Sequence, residues 1–256
     1  MRHYLIEKII NEVVDLVYPP GLYCYCCGKI TDKSRTYGLC NDCMEDIKWI
    51  TGRACRKCGK ALGDTDPGDV CFYCKRHGHV FDRGYACCEY GMHEKTLLYE
   101  LKYASRGDIG RKIGEAVYDR MAAEFGGELS EIYDLVLPVP LYKERKLKRG
   151  FNQAELMAEE VSKRSGIACD AEVLLRIRPT DAMKGLGPSE RRANIQGAFA
   201  VNEEKASILI GARVLVIDDI FTTGATLDEI ACVLKDAGAS RIDTAVFAAS
   251  ADYTIS

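Results

Sequence analysis

Asp218 and Asp219 stand at the end of the apolar run Val214-Leu215-Val216-Ile217 and are followed, after Ile220-Phe221, by Thr222-Thr223-Gly224-Ala225-Thr226. Adjacent carboxylates repel a phosphate, but each can accept a charge-assisted hydrogen bond from a hydroxyl, and a ribose presents two hydroxyls side by side. The turn that follows has the opposite character. Small residues let the backbone N–H groups of Thr223, Gly224, Ala225 and Thr226 converge on one anion, the Thr222 and Thr226 hydroxyls add donors, and a following helix points its positive dipole end at the same place. A ribose and its 5′-phosphate are thus both provided for within nine residues. The chain contains neither GxxxxGK[ST] nor GxGxxG, which argues against nucleoside triphosphates and dinucleotides.

A second chemistry is written in cysteine. Of thirteen cysteines, eleven fall within the first 88 residues. Cys24 and Cys27 form one CxxC, and Cys40 and Cys43 another after twelve intervening residues; Cys55, Cys58, Cys71 and Cys74 repeat the figure at an offset of 31, with Gly-Lys after the second cysteine both times. Two thiolates across a tight turn supply one edge of a tetrahedron, and a second pair closes it, so the spacing predicts two structural four-cysteine zinc sites of zinc-ribbon type. One filled site with four idle thiols, or redox dithiols, are the alternatives. A closed tetrathiolate site has no open position for substrate, so its role is structural or adhesive. Cys26 reads as a bystander, and Cys87, Cys88, Cys169 and Cys232 as buried small hydrophobes. A ribbon pair has little core of its own, so metal should supply much of its folding free energy and chelation should unfold it selectively.

The elements that must position these groups follow from periodicity. Residues 1–17 carry apolar positions at helical spacing, interrupted by charges that exclude a signal peptide or membrane span. A strand is expected over 81–90, helices over 93–106 and 109–125, and a short strand over 134–140 ended by prolines. A helix over 151–166 stops at Gly166. Strand 213–220, helix 226–238 and strand 241–250 complete the chain. Alternating strands and helices imply an α/β fold, a parallel sheet covered by helices on both faces, with ligands at the carboxyl ends of its strands. The division is residues 1–80, an N-terminal helix and double zinc ribbon, and residues 81–256, the α/β domain. Net charge is only −3, with 47% hydrophobic and 29% charged residues, so no global basic field points to nucleic acid or a membrane surface. The expected location is cytoplasmic, with peripheral attachment at the inner face of the membrane as an alternative.

The hydrophobic run, the paired aspartates and the Thr-Thr-Gly-Ala-Thr turn resemble the phosphoribosyl pyrophosphate (PRPP) motif of type I phosphoribosyltransferases. That resemblance implies that Asp218 and Asp219 hold the ribose hydroxyls and that Thr222, Thr223, Gly224, Ala225 and Thr226 hold the 5′-phosphate. The order of cysteine ribbons, LKY at 101–103, LVLPVPL at 135–141, RGFNQAEL at 149–156, ERRANIQGAF at 190–199 and the PRPP motif resembles the competence-protein ComF family over nearly the whole chain. It implies a type I phosphoribosyltransferase fold behind a small zinc-ribbon domain, an amidophosphoribosyltransferase-like protein, and a part in DNA uptake during natural transformation. It also implies a pyrophosphate loop at 138–150, where Lys143, Arg145, Lys146, Lys148 and Arg149 face the single acid Glu144, with Lys102 directed to the same anion. Residues 178–194 resemble a hood that closes over PRPP, carrying Arg191 and Arg192. The family pattern has a glutamine three residues after a threonine in this hood; here Thr180 is followed by Met183.

As an enzyme, the protein would transfer phosphoribosyl to a nitrogen acceptor with release of pyrophosphate, Mg²⁺ accompanying PRPP, Asp219 positioning or deprotonating the nucleophile and Asp218 the ribose. No cysteine suited to a glutaminase nucleophile opens the chain. The alternative is a non-catalytic module that holds single-stranded DNA or a DNA-import helicase, with PRPP as regulator or relic. Aromatic and basic residues do interleave across the ribbons, but residues 1–80 hold twelve basic against ten acidic side chains, so electrostatic binding to DNA should be weak and steeply salt-dependent.

Overall fold

A computed structural model describes residues 22–31, 36–64, 66–103, 106–180 and 187–250. The expected N-terminal helix and Met183 lie outside these. Within them, strands β1 (Arg83–Glu89), β2 (Leu135–Pro138), β3 (Ala168–Cys169), β6 (Arg213–Phe221) and β7 (Arg241–Ala249) form one sheet in the order β1-β7-β6-β2-β3. Every pair in it is parallel. The short strands β4 (Leu174–Arg176) and β5 (Phe199–Val201) pair antiparallel and stand apart. The expected fold class is thus the observed one.

Alternation along β6 divides the core. Val214 and Val216 join the buried cluster of Ile230, Leu234, Ile242 and Val246, which lies under helix α9 (Ala225–Asp236). Leu215 and Ile217 point the other way, into the cluster of Ile113, Val117, Met157, Val161 and Phe247 formed by helices α4 (Gly107–Phe125) and α7 (Gln153–Ser165). The single turn α5 (Leu129–Ile132) adds Leu129 to the same cluster. A strand apolar on both faces is what a sheet covered on both sides requires.

The ribbons are extensions of these same two clusters. In each, the second cysteine of the first CxxC is followed by a glycine at positive φ, Gly28 at 72° and Gly59 at 77°, and the turn closes through Gly28 N–H to Cys24 O and Gly59 N–H to Cys55 O. The second CxxC of each opens a short helix, α1 (Asn41–Asp46) behind Cys40 and α2 (Phe72–His77) behind Cys71. Cys24, Cys43 and Leu39 share a cluster with Tyr85, Cys87 and Leu97. Cys55, Cys58, Cys71 and Cys74 share the other with Phe81, Ala86 and Phe221. The small core expected of a ribbon pair is therefore supplemented by the sheet. Between the ribbons, the connector runs antiparallel beside β1, Ile50 N–H donating to Cys87 O and Glu89 N–H to Lys48 O, which covers an edge that would otherwise be open.

The second ribbon meets β1 backbone to backbone. A Cβ on Gly59 would lie 2.6 Å from Gly84 O, and one on Gly84 would lie 2.9 Å from the Cys58 carbonyl carbon. Neither neighbour is a flexible side-chain end. Gly84→Ala should therefore destabilise the protein by about 1–3 kcal/mol in chemical denaturation; an unchanged midpoint would mean the knuckle does not dock on the strand.

Of the cysteines outside the tetrads, Cys87 and Cys88 are buried as expected, whereas Cys169 is only partly buried and Cys232 is exposed. Cys232 sits on the outer side of α9, a position that periodicity within an apolar-looking helix did not separate from its core face.

Candidate ribose-phosphate site and zinc centres

The sheet reverses its winding between β2 and β6. From β2 the chain passes through helices α6 (Lys143–Arg149) and α7 to β3 on one side; from β6 it passes through α9 to β7 on the other. Adjacent parallel strands whose connections leave in opposite directions open a crevice at their carboxyl ends. Asp218 and Asp219 lie there, within β6, which runs on to Phe221. Asn152 ties the neighbouring strand in place: its side chain caps α7 by accepting from Ala154 N–H and donates to Val139 O beyond β2. This gives the Asn of RGFNQAEL a positioning role.

The turn has the geometry of an anion cradle. Gly224 is left-handed at φ 79°, and α9 begins at Ala225, whose first internal bond is Asp228 N–H to Gly224 O. The N–H groups of Ala225, Thr226 and Leu227 therefore precede any intrahelical acceptor. Ser250 holds the turn from β7, donating from its N–H to Phe221 O. Thr223 Oγ1 is buried with no partner among the described residues. A cleft lined by Asp218, Thr222, Thr223, Gly224, Ala225 and Thr226 also receives Arg191 from helix α8 (Pro188–Ile195). The five residues expected to hold a phosphate are thus brought together around one opening.

Successive strand residues leave the backbone on opposite faces, and the two aspartates are treated differently. Asp219 forms an ion pair with Lys102, which reaches it from helix α3 (Met92–Tyr103). Burial works to lower the Lys102 pKa, yet the charges of Asp219 and then Asp218 hold it above the ordinary lysine value. Lys102 is thus placed beside the paired aspartates, against a carboxylate. Asp218 lines the cleft, and its carboxyl is held well above the usual range, first by burial and then by the charge of Asp219, with Lys102 and Arg176 pulling it partly back. Lys102→Met would leave Asp219 without its counter-charge, and we expect it to destabilise the protein by about 2–3 kcal/mol in urea unfolding; a neutral effect would mean that the pair is solvated.

The expected pyrophosphate segment is not an open loop. Residues Lys143–Arg149 form α6, capped by Gly150 at φ 81°. Lys143 and Arg145 are exposed, Arg145 donating to Thr180 O, while Lys146 is paired with Glu155 of α7 at 2.8 Å. A basic run at helical spacing distributes its charges around the helix, so only part of it can face one anion. Arg149 lies close enough to Lys102 for the two cations to oppose each other.

Sequence reasoning missed Arg176. It closes β4, hydrogen-bonds Thr180 Oγ1, and its buried Nε has no partner among the described residues. Burial, then the neighbouring Arg145, push its pKa down to about 10, while Asp218 opposes the shift. No local pattern marks this arginine; only the tertiary structure sets its charge where it acts on Asp218.

The thiols of Cys24, Cys27, Cys40 and Cys43 lie within 4.8 Å of one another, and so do those of Cys55, Cys58, Cys71 and Cys74. Sulfur–sulfur separations of 3.6 Å for Cys27 and Cys40 and 3.8 Å for Cys58 and Cys71 match the roughly 3.8 Å edge of a zinc tetrathiolate tetrahedron. Both donor sets fit zinc. The second is wholly buried, whereas Cys27 of the first is exposed. Cys26 is near both Cys43 and His93.

A parallel sheet with a ribose-phosphate type of turn at its switch point, joined to two cysteine tetrads, defines a phosphoribosyltransferase-like protein with zinc ribbons. Accordingly, a family model for the double zinc ribbon domain matches residues 13–89, and one for the phosphoribosyl transferase domain matches residues 143–255. The chain is 28% identical over 205 residues to competence protein F of Haemophilus influenzae, covering 80% of this chain and 87% of that protein. It is 26% identical over 223 residues to DNA utilization protein YhgH of Salmonella typhimurium, covering 87% and 94%. Among solved structures it is similar to the glutamine PRPP amidotransferase from B. subtilis complexed with ADP and GMP, at 19% identity and a TM-score of 0.38, over 58% of this chain; it spans only 30% of that chain's length. The protein is a homologue of competence protein F and YhgH, and it carries a double zinc ribbon domain and a phosphoribosyl transferase domain.

Proposed function

We propose that the protein binds PRPP at the end of β6, with Asp218 on the ribose hydroxyls and residues 222–226 on the 5′-phosphate. The observation that carries this reading is the switch-point cleft in which Asp218, the left-handed Gly224 turn and the free end of α9 meet. Arg191 on the cleft, Lys102 beside Asp219, and Arg145, Arg149 and Arg176 nearby supply the positive charge that a pyrophosphate group needs in order to bind and to leave. Mg²⁺ carried with PRPP would neutralise the same oxygens. Transfer of phosphoribosyl to a nitrogen acceptor is the reaction this arrangement supports, with Asp219, held by Lys102, orienting the nucleophile's side of the site. In this reading residues 1–80 form the ribbon unit and 81–256 the catalytic one, and the protein serves DNA uptake, as the names of its relatives suggest. Among the described residues no helix is long and apolar enough to cross a membrane.

Calorimetric titration of PRPP with Mg²⁺ into the wild type and into Asp218→Asn/Asp219→Asn tests the site. We expect binding by the wild type and at least about a hundredfold weaker binding by the double variant, followed by pyrophosphate release when the correct amine or nucleobase is added. Absence of wild-type binding would remove the reading. Exposed Phe72, with the Arg76 guanidinium 5.9 Å over its ring, keeps the single-stranded DNA reading of the ribbons in play. A salt titration of labelled single-stranded DNA decides it, since no binding at low salt would end it.

A further inference from the structure

We infer that the second zinc ribbon is a working part of the phosphate site: His79, carried by the ribbon, fixes the turn at 222–228, so that the ribbon's zinc and the phosphate ligand each favour the binding of the other. The inference rests on the ribose-phosphate reading of that turn for its ligand, but not for its structural content.

The path is short. Cys71 and Cys74 frame the start of α2, the helix ends at His77, and Gly78, at φ 64° with its N–H on Cys74 O, turns the chain so that His79 enters the interior. Its side chain has no exposed surface. The ring stacks on Phe81 at 4.7 Å between centroids and meets the edge of Phe221 at 5.5 Å, where Phe221 is the last residue of β6 before the turn. Its Nδ1 lies 2.9 Å from Asp228 Oδ2, and the next residue's N–H, that of Val80, donates to Asp228 Oδ1 at 2.7 Å. Both carboxylate oxygens in the first turns of α9 are therefore held by two consecutive residues of the ribbon's tail. The far end of α9 is held by the same segment, Lys235 Nζ donating to Val80 O.

Contact with the turn itself is closer still. A Cβ on Gly224 would lie 2.6 Å from His79 Cε1. The imidazole thus fills the space behind the glycine whose left-handed conformation shapes the turn. From the same ribbon, Lys60 stands over the Phe221 ring at 5.5 Å. A ribbon that loosened on losing zinc would withdraw the ring, its bond to Asp228 and the packing on Phe221 together. The first ribbon has no such route, because its tetrad belongs to the cluster on the other face of the sheet. If the turn is ordered by the ribbon and order is needed to bind phosphate, linkage requires that the ligand tighten the binding of zinc in return.

Hydrogen exchange measured by mass spectrometry on the full, zinc-loaded chain tests the structural half without any ligand. His79→Phe keeps the ring stack and removes the bond to Asp228; we expect exchange at 222–228 to rise about tenfold or more, with exchange at 55–78 unchanged. His79→Asn, whose amide nitrogen can take the place of Nδ1, should restore the wild-type rate. Should His79→Phe not fold, Asp228→Ala replaces it, because it removes the acceptor of the bonds from both His79 and Val80. Wild-type exchange at 222–228 in a folded variant overturns the inference. The second half is read by equilibrium competition with a chromophoric zinc chelator: PRPP with Mg²⁺ should raise the zinc affinity of the buried centre several-fold in the wild type and not in His79→Phe. If PRPP binds by calorimetry yet leaves the zinc affinity unchanged, the linkage fails. If exchange responds to His79 but PRPP does not bind, the ribbon–turn coupling stands and the PRPP reading falls.

Discussion

Cys58→Ser or Cys71→Ser will not yield a folded phosphoribosyltransferase-like domain with a melted ribbon; it will destabilise the whole chain. Both cysteines are almost fully buried, and they share a cluster with Phe81, Ala86, Val216 and Phe221 of the sheet. A structural zinc centre contributes about 10–16 kcal/mol of apparent binding free energy in small ribbons, comparable with the total stability of a domain. Loss of one thiolate should therefore cost more than about 3 kcal/mol. The single tryptophan is a suitable reporter, since Trp49 lies in the connector between the ribbons, bonds Met44 O and meets Phe247 of β7 edge-on at 6.2 Å. We expect its fluorescence and the far-ultraviolet circular dichroism to change together on heating, at a much lower temperature than in the wild type, with about one zinc lost per chain. Cys27→Ser, which alters an exposed ligand of the first centre, should show a smaller shift. Two separate transitions, with the tryptophan melting first, would instead mean that the ribbon unfolds alone.

The second large effect has an unusual sign. Asp218→Asn should stabilise the ligand-free protein at alkaline pH while abolishing the PRPP binding proposed above. The folded-state pKa of Asp218 is raised, because burial and Asp219 penalise its anion. Above the ordinary carboxylate value near pH 4 the folded state thus holds a proton that the unfolded chain has released, and stability falls as pH rises through that window. Asparagine keeps the acceptor for Asp219 N–H and carries no charge to desolvate. Each unit of raised pKa corresponds to about 1.4 kcal/mol, so after local relaxation a gain of about 1–3 kcal/mol, or roughly 3–8 °C in Tm, is expected near pH 8. Near pH 4 wild type and variant should coincide. Melting curves of the two proteins across this range decide the matter: a variant less stable than wild type at pH 8 would mean that the carboxylate is already well compensated. A site that is destabilised until its ligand arrives is consistent with selection for binding rather than for stability.

Two arginines converge on Thr180. Arg145 and Arg176 both bond it, and Arg178 bonds the carbonyl of Asn194 in α8. Burial first, and then the charge of Arg145, lower the Arg176 pKa; an anion entering between the two arginines would relieve the second of these.

What the residues determined by themselves was local. Two CxxC pairs at a repeated offset bring four thiols to one place, so both cysteine tetrads were legible residue by residue. A nine-residue stretch carried the aspartates, the glycine that must turn left-handed and the start of the helix, because strand, turn and helix N-terminus are contiguous in the chain. The covered parallel sheet followed from doubly apolar strands alternating with helices. What only the tertiary structure decided was every partnership between distant segments. Lys102 meets Asp219 across more than a hundred residues, the charge of Arg176 acts on Asp218 from a strand outside the main sheet, and His79 of the ribbon packs behind Gly224. Lys146, in the expected anion-binding run, is turned instead to Glu155. Side-chain types fix what chemistry a position can do, and local spacing fixes which neighbours it has within a helix or turn. Which charge it faces across the core depends on strand order and helix rotation, and these are set by the burial of the whole sheet.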